Sequence, residues 1–178
     1  MYTQFQMLLE LLVTSFEHQL VFSDELGLVR TVTLVSELDF DEYVERGSIL
    51  LEFVMYDPLR EYEDQSTTIS VPSGGSAQFV TQHPNPHILV TAQAAQRDAS
   101  TEMWSLTFDE GDYVRLKLPT ALATTVSIDC KERRVLVGGE VSMLTLESDW
   151  PRLAAGTHTV RMDLGTGAAT ISIRERCL

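Results

Sequence analysis

Apolar residues recur along this chain with two periods, first of three to four residues and then of two. Phe5, Leu8, Leu9, Leu12 and Phe16 fall on one stripe of a helix. Met7 and Leu11 widen that stripe, so the predicted helix must be covered, by a core or by a partner. From Gln19 the period shortens. Leu20–Phe22 predicts a short strand, Ser23–Gly27 a turn, and the β-branched run Leu28–Val35 a second strand. The acidic stretch Ser36–Gly47 interrupts, with room for a helical turn over Phe40 and Tyr43. Ser48–Tyr56 is a further apolar run, with Leu51, Phe53 and Met55 on one face, and Asp57-Pro58 ends it because proline cannot donate to a ladder.

Beyond about residue 66 the pattern is almost wholly that of strands. Ile69 and Val71 lead into a turn at Ser73-Gly74-Gly75; Phe79-Val80 follows, then a corner at His83-Pro-Asn-Pro-His87. Ile88, Val90 and Ala92 alternate. Trp104, Leu106 and Phe108 also alternate and should form a hairpin with Val114, Leu116 and Leu118 across the short loop Asp109–Asp112. Val126, Ile128 and Cys130 alternate next, and Arg133–Val137 returns before the Gly138-Gly139 turn. His158, Val160, Met162 and Leu164 are expected to pair with Ala169, Ile171 and Ile173 through Gly165-Thr166-Gly167. Short strands at regular spacing imply a sandwich or barrel. The expected fold class is therefore mainly β, an antiparallel β-sandwich over 71–178 preceded by a small α+β domain over 1–70.

Charge adds a second division. The net charge of −13 is uneven: fourteen Asp or Glu face three Arg in residues 1–70, against twelve acids and ten bases thereafter. The acids gather at Glu37, Asp39, Asp41, Glu42 and Glu45 and again at Glu61, Glu63 and Asp64. Such a surface repels phosphate backbones, so nucleic acid is not an expected partner. It is either a solvated face or an edge that meets a basic partner. No segment reaches the roughly 20 apolar residues of a membrane span. Met7–Val13 is a poor signal peptide, since Glu10 interrupts it and no Lys or Arg precedes it. Cys130 and Cys177 have no metal-ligand spacing and are expected as buried free thiols in a chain made in a reducing cytoplasm.

Candidate chemistry is sparse. No HExxH, CxxC, Walker loop or G-x-S-x-G elbow is present, and no catalytic, cofactor or metal residues are assigned. Asp39-Phe-Asp41 supplies too few oxygen ligands for a cation. His18 and His158 are expected on strands as ordinary half-buried residues. His83-Pro84-Asn85-Pro86 shares the H-x-N-P opening of the galectin galactoside motif, but position 87 is His, and neither Trp104 nor Trp150 is followed by Glu-x-Arg. Should the chain bind a saccharide, Trp104, Trp150 and Tyr113 are the candidate stacking residues; packing in the core is the competing role for all three.

A longer pattern carries a family resemblance. Ile128-Asp-Cys-Lys-Glu-Arg-Arg-Val-Leu-Val-Gly-Gly-Glu140 is followed by Leu146–Leu153, by Ala155-Gly-Thr-His-Thr-Val160, and by a closing strand Ala169–Arg174. This order resembles the C-terminal domain of the distal tail (Dit) proteins of long-tailed bacteriophages. Gln19–Asp24, Leu28-Val-Arg30 and Ile49–Phe53 with Asp57-Pro58 resemble the end of that family's N-terminal domain, and the strand entry Pro86–Val90 also fits. The resemblance implies a galectin-like sandwich from about residue 71, and a structural, non-enzymatic role in the tail-tip hub. It also implies partners: other copies in a six-fold ring, the tail tube protein, and a tail-associated receptor-binding or lytic protein. Members of the family begin with a long run of strands and a hairpin belt ahead of the helix, a portion this sequence lacks.

Overall fold

The computed structural model describes residues 7, 12, 17–25, 27–36, 50–96, 102–109, 111–119 and 122–177, with no side chains described at 63–65. The chain forms two compact units, residues 1–63 together with 178, and residues 64–177. Of the expected first helix only Met7 and Leu12 are described, and both are helical. Phe5, Leu8, Leu9, Leu11, Phe16, Asp39, Phe40, Asp41 and Tyr43 lie outside the described residues.

In the first unit, β1 (His18–Leu20) pairs antiparallel with β2 (Leu28–Leu34), setting His18 opposite Val32 and Leu20 opposite Arg30. The other face of β2 takes β3 (Phe53–Val54), and its start pairs with Glu61 and Tyr62 at the beginning of β4 (Arg60–Val71). Three expectations are corrected here. The first strand lies two residues earlier than its apolar content suggested, leaving Val21 and Phe22 exposed. The apolar run before Asp57 contributes only Phe53 and Val54 to the ladder, while Leu50 is 70% and Tyr56 78% exposed. The run of strands expected beyond about residue 66 begins earlier, since β4 starts at Arg60 and takes in the acidic group at Glu61, Glu63 and Asp64. Apolar content cannot place a strand by itself; the partner backbone decides, and β2 offers β3 only Thr33 and Leu34.

The second unit is a two-sheet antiparallel sandwich. One sheet has the order β4, β13 (Ala169–Cys177), β6 (His87–Ala94), β9 (Thr124–Asp129), β10 (Arg134–Val137), β11 (Glu140–Ser142). The facing sheet is four-stranded, in the order β5 (Ser76–Thr81), β12 (Gly156–Leu164), β7 (Met103–Phe108), β8 (Asp112–Lys117). Alternate residues of both sheets meet between them: Ile88, Val90, Val126, Ile128, Ile171 and Ile173 from the first, and Trp104, Leu106, Phe108, Val114, Leu116 and Val160 from the second, all at most 1% exposed. Each such aliphatic side chain contributes about 1.5–3 kcal/mol by leaving water, so this layer dominates the stability of the unit.

The β7–β8 hairpin forms as expected, in a register that sets Trp104 opposite Leu116 and Leu106 opposite Val114. So does the turn at Gly138-Gly139, where φ values of +62° and +88° and a two-residue connection define a type I′ turn between β10 and β11. The final hairpin does not form. β12 pairs with β5 and β7, and β13 with β6, so these two strands lie in different sheets. Gly165-Thr166-Gly167 is a crossing, pinned by paired backbone hydrogen bonds between Thr166 and Ala95 at 2.8 and 3.0 Å. A Cβ at Gly165 would lie 2.6 Å from Trp104 Cδ1, and one at Gly167 1.9 Å from the Gln93 carbonyl oxygen. These glycines serve close approach of backbone to core, a use that reads locally like a hairpin turn.

Candidate functional site

Among the three candidate stacking residues, Trp104 is fully buried at the centre of the sandwich, and no face of its ring is open. Tyr113 is half-buried on β8 with the Arg115 guanidinium 5.0 Å above its ring. Trp150 is half-buried: one side packs on the core, and the residue also lines a cleft of about 430 Å³ with Asp112, Arg133, Asp149 and Arg152. The structure therefore does not bring the three aromatics together at this cleft, which Trp150 lines without Trp104 or Tyr113.

The walls of this cleft are tied to the sandwich. Asp112 opens β8, and Asp149 and Arg152 flank Trp150. The Asp149 amide donates to the Tyr113 carbonyl (3.0 Å) and the Arg152 amide to Asp112 Oδ2 (3.1 Å). Arg133 sits in the β9–β10 turn with φ +49°. Asp129 Oδ1 organises that turn by accepting the Lys131 and Glu132 amides at 3.0 Å each, and it lies 3.1 Å from His87 Nε2. Sequence reasoning singled out Trp150 but could not gather its neighbours, because residues 112, 133 and 149–152 meet only through the fold.

The segment after β11 covers the edge of the four-stranded sheet. Thr145 donates to the Arg115 carbonyl (2.8 Å), and Ser148 Oγ both accepts from the Arg115 amide and donates to its carbonyl. Arg115 Nη1 also pairs with Glu147 at 2.8 Å. An edge strand left bare invites mispairing; here β8 is covered, while β5 and β11 terminate their sheets. Val141 on β11 and Met143 just after it are 81% and 83% exposed, and Leu146 is fully exposed.

Two polar networks hold the loops. Glu175, buried, accepts the amides of Gln82 and His83 at 3.0 Å each, fixing the His83–Pro86 corner, where Asn85 takes φ +54°. That corner is a structural turn. His158, which is buried where half-burial was expected, places Nδ1 2.7 Å from Asp109 Oδ2 and Nε2 2.8 Å from the Ala154 carbonyl and 3.1 Å from Thr81 Oγ1. The order carboxylate, imidazole, hydroxyl mimics a hydrolase triad. Thr81 is only 2% exposed, however, and its hydroxyl donates to the Ala154 carbonyl at 2.7 Å, so it presents no nucleophile to solvent. Burial pushes the Asp109 carboxyl up, but the His158 ring and the Thr159 amide outweigh it and hold the group below its ordinary range.

No group of three or more His, Cys, Asp or Glu among the described residues could hold a metal ion. No helix among them is long and apolar enough to cross a membrane. Both cysteines are free, and burial raises the Cys130 thiol to about 12. In the first unit, Glu25 joins Arg60 (3.1 Å) and Arg30, whose guanidinium lies 4.6 Å above the Phe22 ring. The Arg30 hydrogen bond lowers the Glu25 carboxyl. Leu20, Phe22, Val32, Phe53 and Met55 line the apolar hollow beside it.

Among the described residues the sandwich thus has one sheet edge, β8, covered by a following segment, and its triad-like array is closed to solvent. The chain belongs to the siphovirus-type tail component family: the model of that family's C-terminal domain matches residues 85–176, just over half of its length. It is thus a component of a phage tail, assembled with other tail proteins. Among solved structures it is similar in fold to the SPP1 Dit (gp 19.1) protein, described as a paradigm of the hub adsorption apparatus in phages infecting Gram-positive bacteria, with a TM-score of 0.66 and 16% sequence identity over 99% of this chain and 72% of that one. No curated protein matches it.

Proposed function

We propose that this chain is a structural component of the tail-tip or baseplate hub of a long-tailed phage or prophage, joining the tail tube to the receptor-binding or tail-associated lytic machinery. The observation that carries this reading is the family match over residues 85–176, supported by the likeness of fold to a hub protein. In this reading residues 1–70 are the partial ring-type domain, which meets other copies in a six-fold ring. Residues 71–178 are the galectin-like sandwich, which offers its surface to attached proteins. Ring contacts join one face to a different face of the next copy, so each subunit needs two unlike edges. The uneven charge supports an interface in the first part, where a strongly acidic surface excludes wrong pairings. No catalytic step belongs to the role, and the chain is made in the bacterial host's cytoplasm before joining the virion tail tip.

Native mass spectrometry with negative-stain imaging of the purified chain tests the ring. Closed hexamers are the expected outcome. A chain that stays monomeric at every concentration and in the presence of its tail tube protein would overturn ring formation by these residues.

A further inference from the structure

The cleft at Trp150 has a composition that the hub role does not require. An aromatic residue lines it, two carboxylates (Asp112 and Asp149) and two guanidiniums (Arg133 and Arg152) stand around it, and its volume of about 430 Å³ is that of a small-ligand site. Trp150 is held in place by its packing on the core, and the loop and turn that carry the charged groups are fixed by the backbone hydrogen bonds described above. A site built on fixed elements loses little entropy when it binds.

Each group narrows the ligand. An indole face is matched by a flat apolar surface with polar edges. Carboxylates accept hydrogen bonds from hydroxyls, whereas guanidiniums only donate them. The two charge types balance, so the cleft has no net field to recruit a phosphate or an ammonium group, and the carboxylates repel anions. A ring with an apolar face and a rim of hydroxyls that both donate and accept answers all of these demands. We propose that the Trp150 cleft binds a neutral pyranose: the sugar stacks on the indole, with vicinal hydroxyls bridged between Asp149 or Asp112 and Arg133 or Arg152. The site uses none of the residues of the His83–Pro86 corner and does not depend on ring formation, since every residue lining it belongs to residues 64–177.

The two tryptophans provide the test. The full chain is titrated with neutral tetrasaccharides of glucose, galactose and N-acetylglucosamine while both indole N–H resonances are followed by NMR. At least one sugar should shift the Trp150 resonance saturably and leave that of the buried Trp104 in place. Trp150→Ala should abolish binding, and Arg133→Ala should weaken it about tenfold, the loss of one charge-assisted hydrogen bond. The Trp104 resonance reports in each variant that the sandwich is still folded. The proposal is overturned if no sugar moves Trp150 at tens of millimolar. Equal binding by folded Trp150→Ala, or binding of phosphorylated wall polymer alone, would overturn it too.

Discussion

Replacing Gly167 by alanine separates two costs that usually arrive together. Gly167 has φ +97°, and a Cβ there would stand 1.9 Å from the Gln93 carbonyl oxygen on β6, a contact no side-chain motion can relieve. Gly139 has nearly the same backbone conformation, φ +88°, with nothing within 4 Å of an added Cβ. Gly139→Ala therefore carries only the left-handed penalty, about 1 kcal/mol. Gly167→Ala carries that penalty plus a forced shift of strand backbone, a further ~2 kcal/mol or more. Both tryptophans fall within residues 64–177, so urea unfolding followed by their emission reports on the second unit. With a slope of about 2 kcal/mol/M, the extra cost lowers the midpoint of Gly167→Ala by roughly 1 M below that of Gly139→Ala. Equal midpoints for the two variants would refute the crossing as a close-packed joint between the sheets.

The other expectations concern the core, the polar networks and the thiol. Leu106→Ala removes a fully buried side chain facing Val114 and should cost about 2–5 kcal/mol in the same assay. Asp109 has a depressed carboxyl, so its contribution is present above its unfolded value and is lost as the pH falls through the lower folded one; the urea midpoint should drop on acidification below about pH 4, and Asp109→Asn should flatten that drop. Glu175→Ala leaves the Gln82 and His83 amides without their acceptor, costing about 1.5–3 kcal/mol, and hydrogen exchange at those two amides should quicken selectively. With its thiol raised to about 12, Cys130 should resist alkylation at pH 8 until urea opens the sandwich.

The parts of the fold legible in the sequence are those where local pattern and long-range pairing agree. Trp104–Phe108 and Val114–Leu118 alternate on both sides of a short loop, and they pair as neighbours. Val160–Leu164 and Ala169–Ile173 present the same local picture and do not pair, because the deciding contacts lie far off in the chain, with Ser105–Phe108 and Ile88–Ala92. The start of β4, residues 60–65, was hidden for the opposite reason: its charged residues show no alternation, and the pairing of Glu61 and Tyr62 with β2 reveals its role. Trp150 was visible as an aromatic beside a proline. Its partners Asp112 and Arg133 carry no local mark, and nothing in the sequence distinguishes them from other charged turn residues.

The positions of β12 and β13 bear on synthesis. Each is an interior strand of its sheet: β12 lies between β5 and β7, and β13 between β4 and β6. Among the described residues of the second unit, a nascent chain that has delivered everything through β11 therefore holds the pairs β7–β8, β6–β9 and β9–β10–β11, while β5 lacks its ladder partner, β4 has only its pairing with β2, and the core is open. Pairings such as Ala169 with Ala92 span most of the unit, and folds rich in such distant contacts close slowly. The sandwich thus acts as an integrity check on its own translation. A product cut short before Gly156 keeps exposed apolar strands, the kind of species that aggregates or is degraded.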